Sequence, residues 1–225
     1  LIMKYNINKY DKNIYIFGSE FVKRNKNLCK IIYEDKEYEL NDTFNVENIN
    51  NNNNILEIKL KGLNYINDLS YMFYNCSTLL EVINNNNYDF KNVINMSSMF
   101  FGCSLLQSLD TFKDINTSNV INMSFMFSCC TNLNFNAFGY WDTSNVIDMS
   151  FMLNGCFNLF HNYPIYKLNT KNVLFMNGMF SGCLSLRYPP KIDCSKVINM
   201  NQMFGGCHSL NLSGFVDLFV GTNLS

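Results

Sequence analysis

At 225 residues the chain has room for one or two ordinary domains, or for one extended repeat array. Seventeen Lys and Arg balance 18 Asp and Glu to a formal net charge of −1, so there is no basic footprint for nucleic acid or for an anionic membrane surface. Hydrophobic residues make up 48% and charged ones 16%, ample material for a core, yet no stretch approaches the roughly 18 continuous apolar residues of a membrane span.

The opening reads polar (Lys4, Asn6, Asn8, Lys9) and shows no secretory signal. Residues 14–18 and 29–33 read as strands, and residues 33–38 as the tip of a β-hairpin. Asparagine is about one residue in six, and its runs at 50–54 and 84–87 read as solvated loops. Residues 55–60 alternate apolar and polar, which predicts the first strand of an array.

From there the sequence repeats itself. The template Val-x-x-Met-x-x-Met-Phe-x-x-Cys-x-x-Leu is met by Val93, Met96, Met99, Phe100, Cys103 and Leu106, and it recurs from Val120, Val146, Val173 and Val197. A looser copy begins at Ile66. The template cysteines are Cys76, Cys103, Cys130, Cys156, Cys183 and Cys207, so the period is 24 to 27 residues. Eleven of the 12 methionines occupy this template. Self-similarity at such a period is the mark of a repeat architecture.

Within each copy, Met96, Met99, Phe100 and Cys103 follow the spacing of one helical face. Ser or Asn follows the first Met, as an N-cap would. Gly or Asn precedes the Cys, as a C-cap would, with Cys129 the exception. This predicts a one- to two-turn helix per repeat. The Leu-x-x-apolar segment after each Cys predicts a brief strand, and the Asp-Thr-Ser-Asn segment at 142–145 predicts a turn that hydrogen-bonds its own backbone. The expected fold class is therefore an α/β repeat: a leucine-rich-repeat-like solenoid of short strands and helices behind an N-terminal β-hairpin cap. Residues 1–54 form the cap region, 55–212 six repeats, and 213–225 a C-terminal cap or a truncated further repeat.

At these residues the sequence resembles the BspA-like leucine-rich repeat surface proteins, whose repeats read like Trp-Asp-Thr-Ser-Asn-Val-x-x-Met-x-x-Met-Phe-x-x-Cys. Trp141, Asp142, Thr143, Ser144, Asn145, Val146, Met149 and Met152 match that pattern, and Thr117, Ser118, Asn119 and Val120 repeat its centre. The resemblance spans about residues 60–212. It implies a cell-surface protein engaged in adhesion or protein binding.

No catalytic or metal site is expected. The repeated Cys lies on the apolar face, where a free thiol acts as a small hydrophobe. A ladder of buried thiols is the expectation, with stacked disulfides and metal ligation as alternatives disfavoured by parallel Cβ directions and by the lack of Cys-x-x-Cys. Cys29 and Cys194 stand outside the template and are expected to be more accessible. His208 occupies a variable surface position, and Trp141 is expected to pack between repeats. Two function classes follow: a non-catalytic protein-binding or adhesion scaffold, or a purely structural spacer array in a longer protein. For the first, the proposed contact residues follow the repeat Leu by two places on the strand side: Glu81, Ser108, Phe135, His161 and Tyr188, with Leu212 at the same position of the last copy. The partner expected is a protein, with no cofactor, nucleic acid or membrane span. Family resemblance implies the cell surface, whereas free cysteines and the missing signal favour an intracellular setting.

Overall fold

The computed structural model describes residues 1–49, 53–84, 88–134, 140–160 and 167–211. Five strands make the main sheet: β1 (Ile2–Asn6), β3 (Lys30–Tyr33), β4 (Lys36–Glu39), β6 (Ile55–Lys61) and β7 (Leu79–Ile83). Their order is β4-β3-β6-β1-β7, and every neighbouring pair is antiparallel. A second, two-stranded sheet pairs β2 (Asn13–Tyr15) with β5 (Thr43–Asn45), and one α-helix, α1 (Ser19–Asn25), lies between β2 and β3 in the chain. Among the described residues no helix is long and apolar enough to cross a membrane.

The main sheet follows from period-two patterning. Leu56, Ile58 and Leu60 of β6 are buried while Glu57, Lys59 and Lys61 are exposed. β6 sets Ile58 opposite Met3 and Leu56 opposite Tyr5 of β1. Tyr5 is wholly buried, and its hydroxyl donates to the Ile16 carbonyl at 2.6 Å, so the one polar atom of a large core ring is satisfied. The β3–β4 connection turns on Glu34 and Asp35, both at positive φ, which matches the right-handed strand twist and places a hairpin where the sequence predicts one.

Three expectations are corrected here. β6 is not the first strand of an array; it sits in the sheet between β1 and β3. The polar-looking opening is strand β1, whose Met3 and Tyr5 face inward while Lys4 and Asn6 mask the pattern. The predicted leucine-rich-repeat-like solenoid of short strands and helices behind a hairpin cap is overturned. The described fold is mostly antiparallel sheet with a single α-helix, which lies in the N-terminal region. The hairpin β3–β4 forms the sheet edge far from the repeats, and it is β1 that meets β7 of the first repeat.

The reason the Met-Phe-Cys segments form no α-helix among the described residues is stereochemical. Each copy places two residues four apart in the left-handed region: Tyr71 and Asn75, Ser98 and Gly102, Phe125 and Cys129, Phe151 and Gly155, Gly178 and Gly182, Gln202 and Gly206. Left-handed backbone interrupts a right-handed helix at once. The segment instead runs as successive three-residue turns, with Met99, Phe101 and Cys103 N–H groups bonding to Met96, Ser98 and Phe100 carbonyls. The intervening N–H groups leave the repeat. Those of Met96, Ser98, Phe100 and Gly102 donate to Asn122, Ser124, Met126 and Ser128 carbonyls of the next copy at 2.8–2.9 Å. Isolated parallel bridges join Asp68, Asn95, Asn122, Asp148, Phe175 and Asn199 in turn.

Side chains complete the stack. The rings of Phe17, Phe73, Phe100 and Phe127 lie over one another with centroids 5.3–5.7 Å apart, so Phe17 ties the N-terminal sheet to the first repeat. Thr143 donates its hydroxyl to the Asn169 carbonyl of the next repeat and accepts from the Asn169 N–H, and Thr170 does the same with Asp193. Asp142 accepts from the Ser144 N–H, as the predicted turn requires. The Ser after the first Met is no helix N-cap: its N–H is held by the residue before that Met, Asn95 to Ser97 and Asn122 to Ser124. The expected C-terminal segment, 213–225, lies outside the described residues.

Candidate binding surfaces

The proposed contact residues are only partly brought together. Glu81 and Ser108 face each other in a parallel bridge, but Glu81 also accepts from Lys4 at 2.8 Å across the β1–β7 pair, so it is committed to the sheet. Tyr188 is half exposed. Phe135, His161 and Leu212 lie outside the described residues.

The thiols have a structural task. Cys103, Cys130, Cys156, Cys183 and Cys207 each aim Sγ at a carbonyl one repeat back, on Phe73, Phe100, Phe127, Leu153 and Phe180, at 2.9–3.1 Å. A thiol that donates must keep its proton, and burial pushes the ladder thiols well above their ordinary range. A nucleophile or metal ligand needs the thiolate, which this setting opposes. Cys29 and Cys194 correct the expectation of accessibility: both are buried, and burial raises each to about 11. The exposed thiol is Cys129, at a left-handed position where Gly102 and Gly155 stand in the adjoining repeats. Trp141 packs between repeats as expected, with its indole N–H on the Phe112 carbonyl at 2.8 Å and its ring 6.0 Å from Phe127.

Two surface features were not foreseen. Ile94, Ile121, Ile147, Leu174 and Ile198 follow each template Val and form a column. Each N–H from Ile121 onward donates to the carbonyl of the one before at 2.9 Å, and the four isoleucines are 41–63% exposed. The apolar pair at each of these places is visible in the sequence, and Val and its neighbour face opposite ways, as adjacent residues in extended backbone do. The second feature is aromatic. Tyr74 stacks on Phe101 at 4.7 Å and Phe125 on Phe151 at 4.8 Å, with Tyr71 beside Tyr74. Tyr71, Phe125 and Phe151 hold these places at positive φ, an unfavourable conformation for bulky side chains.

A family model described as "Mycoplasma protein of unknown function, DUF285" matches the chain in three overlapping stretches, residues 38–137, 67–187 and 104–215. The chain belongs to that family. The matched stretches contain every copy of the repeat, so membership rests on the repeated segment. No curated protein and no solved structure matches the chain.

Proposed function

We propose that the chain is a non-catalytic protein-binding or adhesion module whose repeats present an outer surface to a partner. The observation that carries this reading is the aliphatic column Ile94, Ile121, Ile147, Leu174 and Ile198, whose four isoleucines are exposed and whose Leu174 is half-buried. Single exposed apolar residues are ordinary, but a continuous line of them in backbone register marks an interaction surface. The interior beneath is nearly constant, while the aromatic and strand-side positions vary from repeat to repeat. That division suits a scaffold that keeps its core and changes its contacts. The likeness of the Trp141 repeat to BspA-like surface proteins supports adhesion and placement at the cell surface.

The test compares three forms of the chain in capture of partners from surface extracts of the source organism. Ile94→Lys, Ile121→Lys, Ile147→Lys together alter the aliphatic column; Phe135→Ala, His161→Ala, Tyr188→Ala alter the strand-side column; wild type is the reference. The expected result is a partner recovered by wild type and by the strand-side variant but lost at least tenfold by the column variant. Equal recovery by all three forms sinks the reading, and a spacer array is then the better description.

A further inference from the structure

The main sheet has two unlike edges. At one, β7 continues into the repeats; at the other, β4 pairs with β3 alone among the described residues. Alternate N–H and C=O groups of an edge strand point outward with no ladder partner. All four residues of β4 are exposed. Next to the strand, between the inner face of the sheet, α1 and β5, opens a cavity of about 550 Å³, within the usual range for ligand pockets. Its apolar lining is Val22, Ile31, Leu40 and Ile49, and its aromatic walls are Tyr33, Tyr38 and Phe44, with both tyrosine rings edge-on to Phe44 at 5.3 and 6.0 Å.

The register assigns faces to β4. Tyr38 stands opposite buried Ile31 and shares the inner face with it, whereas Glu37 and Glu39 alternate onto the other face, with Glu39 also bordering the cavity. Glu39 accepts from Lys30 at 2.5 Å and Glu37 pairs with Lys61, but both carboxylates keep more than half of their side-chain surface exposed. A second copy of the chain is a poor occupant. Two-fold pairing about residue 37 sets Glu37 against Glu37, and pairing about residue 38 sets Glu37 against Glu39; like charges directly opposite are destabilising. The same two carboxylates favour basic side chains on an added strand, and the cavity accepts an apolar or aromatic side chain from its inner face.

We propose that the free edge of β4 and the adjoining cavity bind an extended peptide segment in which basic residues alternate with aromatic or apolar ones. Backbone pairing to β4 supplies affinity, the cavity reads the inward side chain, and Glu37 and Glu39 read the outward charge. The site is on the sheet edge opposite the repeats, so it stands or falls separately from the surface proposed above.

The experiment measures fluorescence anisotropy of a labelled, end-capped Lys-Phe-Lys-Phe-Lys peptide with the whole chain at moderate salt. The expected result is saturable binding, weakened at least tenfold by N-methylation of the amides along one peptide edge, and weakened similarly by Phe44→Ala. Glu37→Lys with Glu39→Lys, exposed changes that leave the core intact, is expected to reverse the preference toward Glu-Phe-Glu-Phe-Glu. Equal binding of the N-methylated peptide overturns strand addition, and absence of charge discrimination by wild type overturns the role of the two carboxylates. Dimerisation abolished by the double Lys variant overturns the choice of a peptide over a second copy.

Discussion

The N-terminal sheet and the repeats bury apolar side chains equally well, but they satisfy their backbones by different means. In the sheet, strands far apart in sequence pair antiparallel, and β1 reaches β7 across more than 70 residues. In the repeats alternate N–H groups close three-residue turns within one copy, and left-handed residues turn the others toward partners one period away. The first arrangement is knit by pairings between segments distant in the chain. The second is a chain of like neighbours, each stabilised mainly by the ones it touches.

The largest expected effect tests that contrast directly. Phe127 is fully buried in the ring column, and Phe127→Ala should cost about 3–5 kcal/mol by the lost burial and the cavity left behind. Hydrogen exchange should show lost protection in the repeats after residue 127 while β1 and β6 remain protected. Uniform loss throughout would make the two regions one cooperative unit.

Alkali offers a second separation. The ladder thiols are held protonated by burial, so the folded state keeps protons that the unfolded chain releases. Their stabilising contribution is complete below the unfolded thiol range near 9 and falls as pH rises toward the higher folded values. Each fully buried thiol then removes about 1.4 kcal/mol per pH unit. Thermal melts from pH 8 to 11 should show a steep decline, and it should be shallower in a Cys103→Ala, Cys156→Ala variant. An unchanged slope would remove the thiols from the explanation.

Smaller effects probe the left-handed positions. Gly178→Ala should destabilise by about 2 kcal/mol or more, because left-handed backbone disfavours a Cβ and that atom would stand 2.2 Å from the Phe151 ring. Cys129→Gly should do the reverse, raising stability by up to about 1 kcal/mol in urea titrations, since it relieves φ of +63° at an exposed side chain. Loss of stability there would mean that the Cys129 side chain itself supports the stack.

Much of the interior was legible in the sequence. The template residues Met96, Met99, Phe100 and Cys103 are buried as expected, and the residue before each Cys is left-handed, even at Cys129. What misled was the step from spacing to helix. An i, i+3, i+4, i+7 pattern also arises from consecutive three-residue turns, and the other left-handed site is held by Tyr71, Ser98, Phe125, Phe151 and Gln202, residue types that give no warning, with Gly178 alone the type expected there. The outer surface was less legible. The contact residues were sought after the repeat Leu, whereas the exposed column follows the Val, where the parallel bridges fix an alternation too short to register as a strand.

The bridges are 27, 27, 26, 27 and 24 residues apart, yet template spacing from Val to Leu is the same in every full copy. All variation in length therefore falls between a Leu and the next Val. Foreign loops or epitopes grafted into that interval should be displayed without disturbing the stack, whereas a single-residue deletion between Val and Leu should ruin it. The same division suggests how such a gene lengthens or shortens: by unequal exchange of whole units, with the interval absorbing the errors.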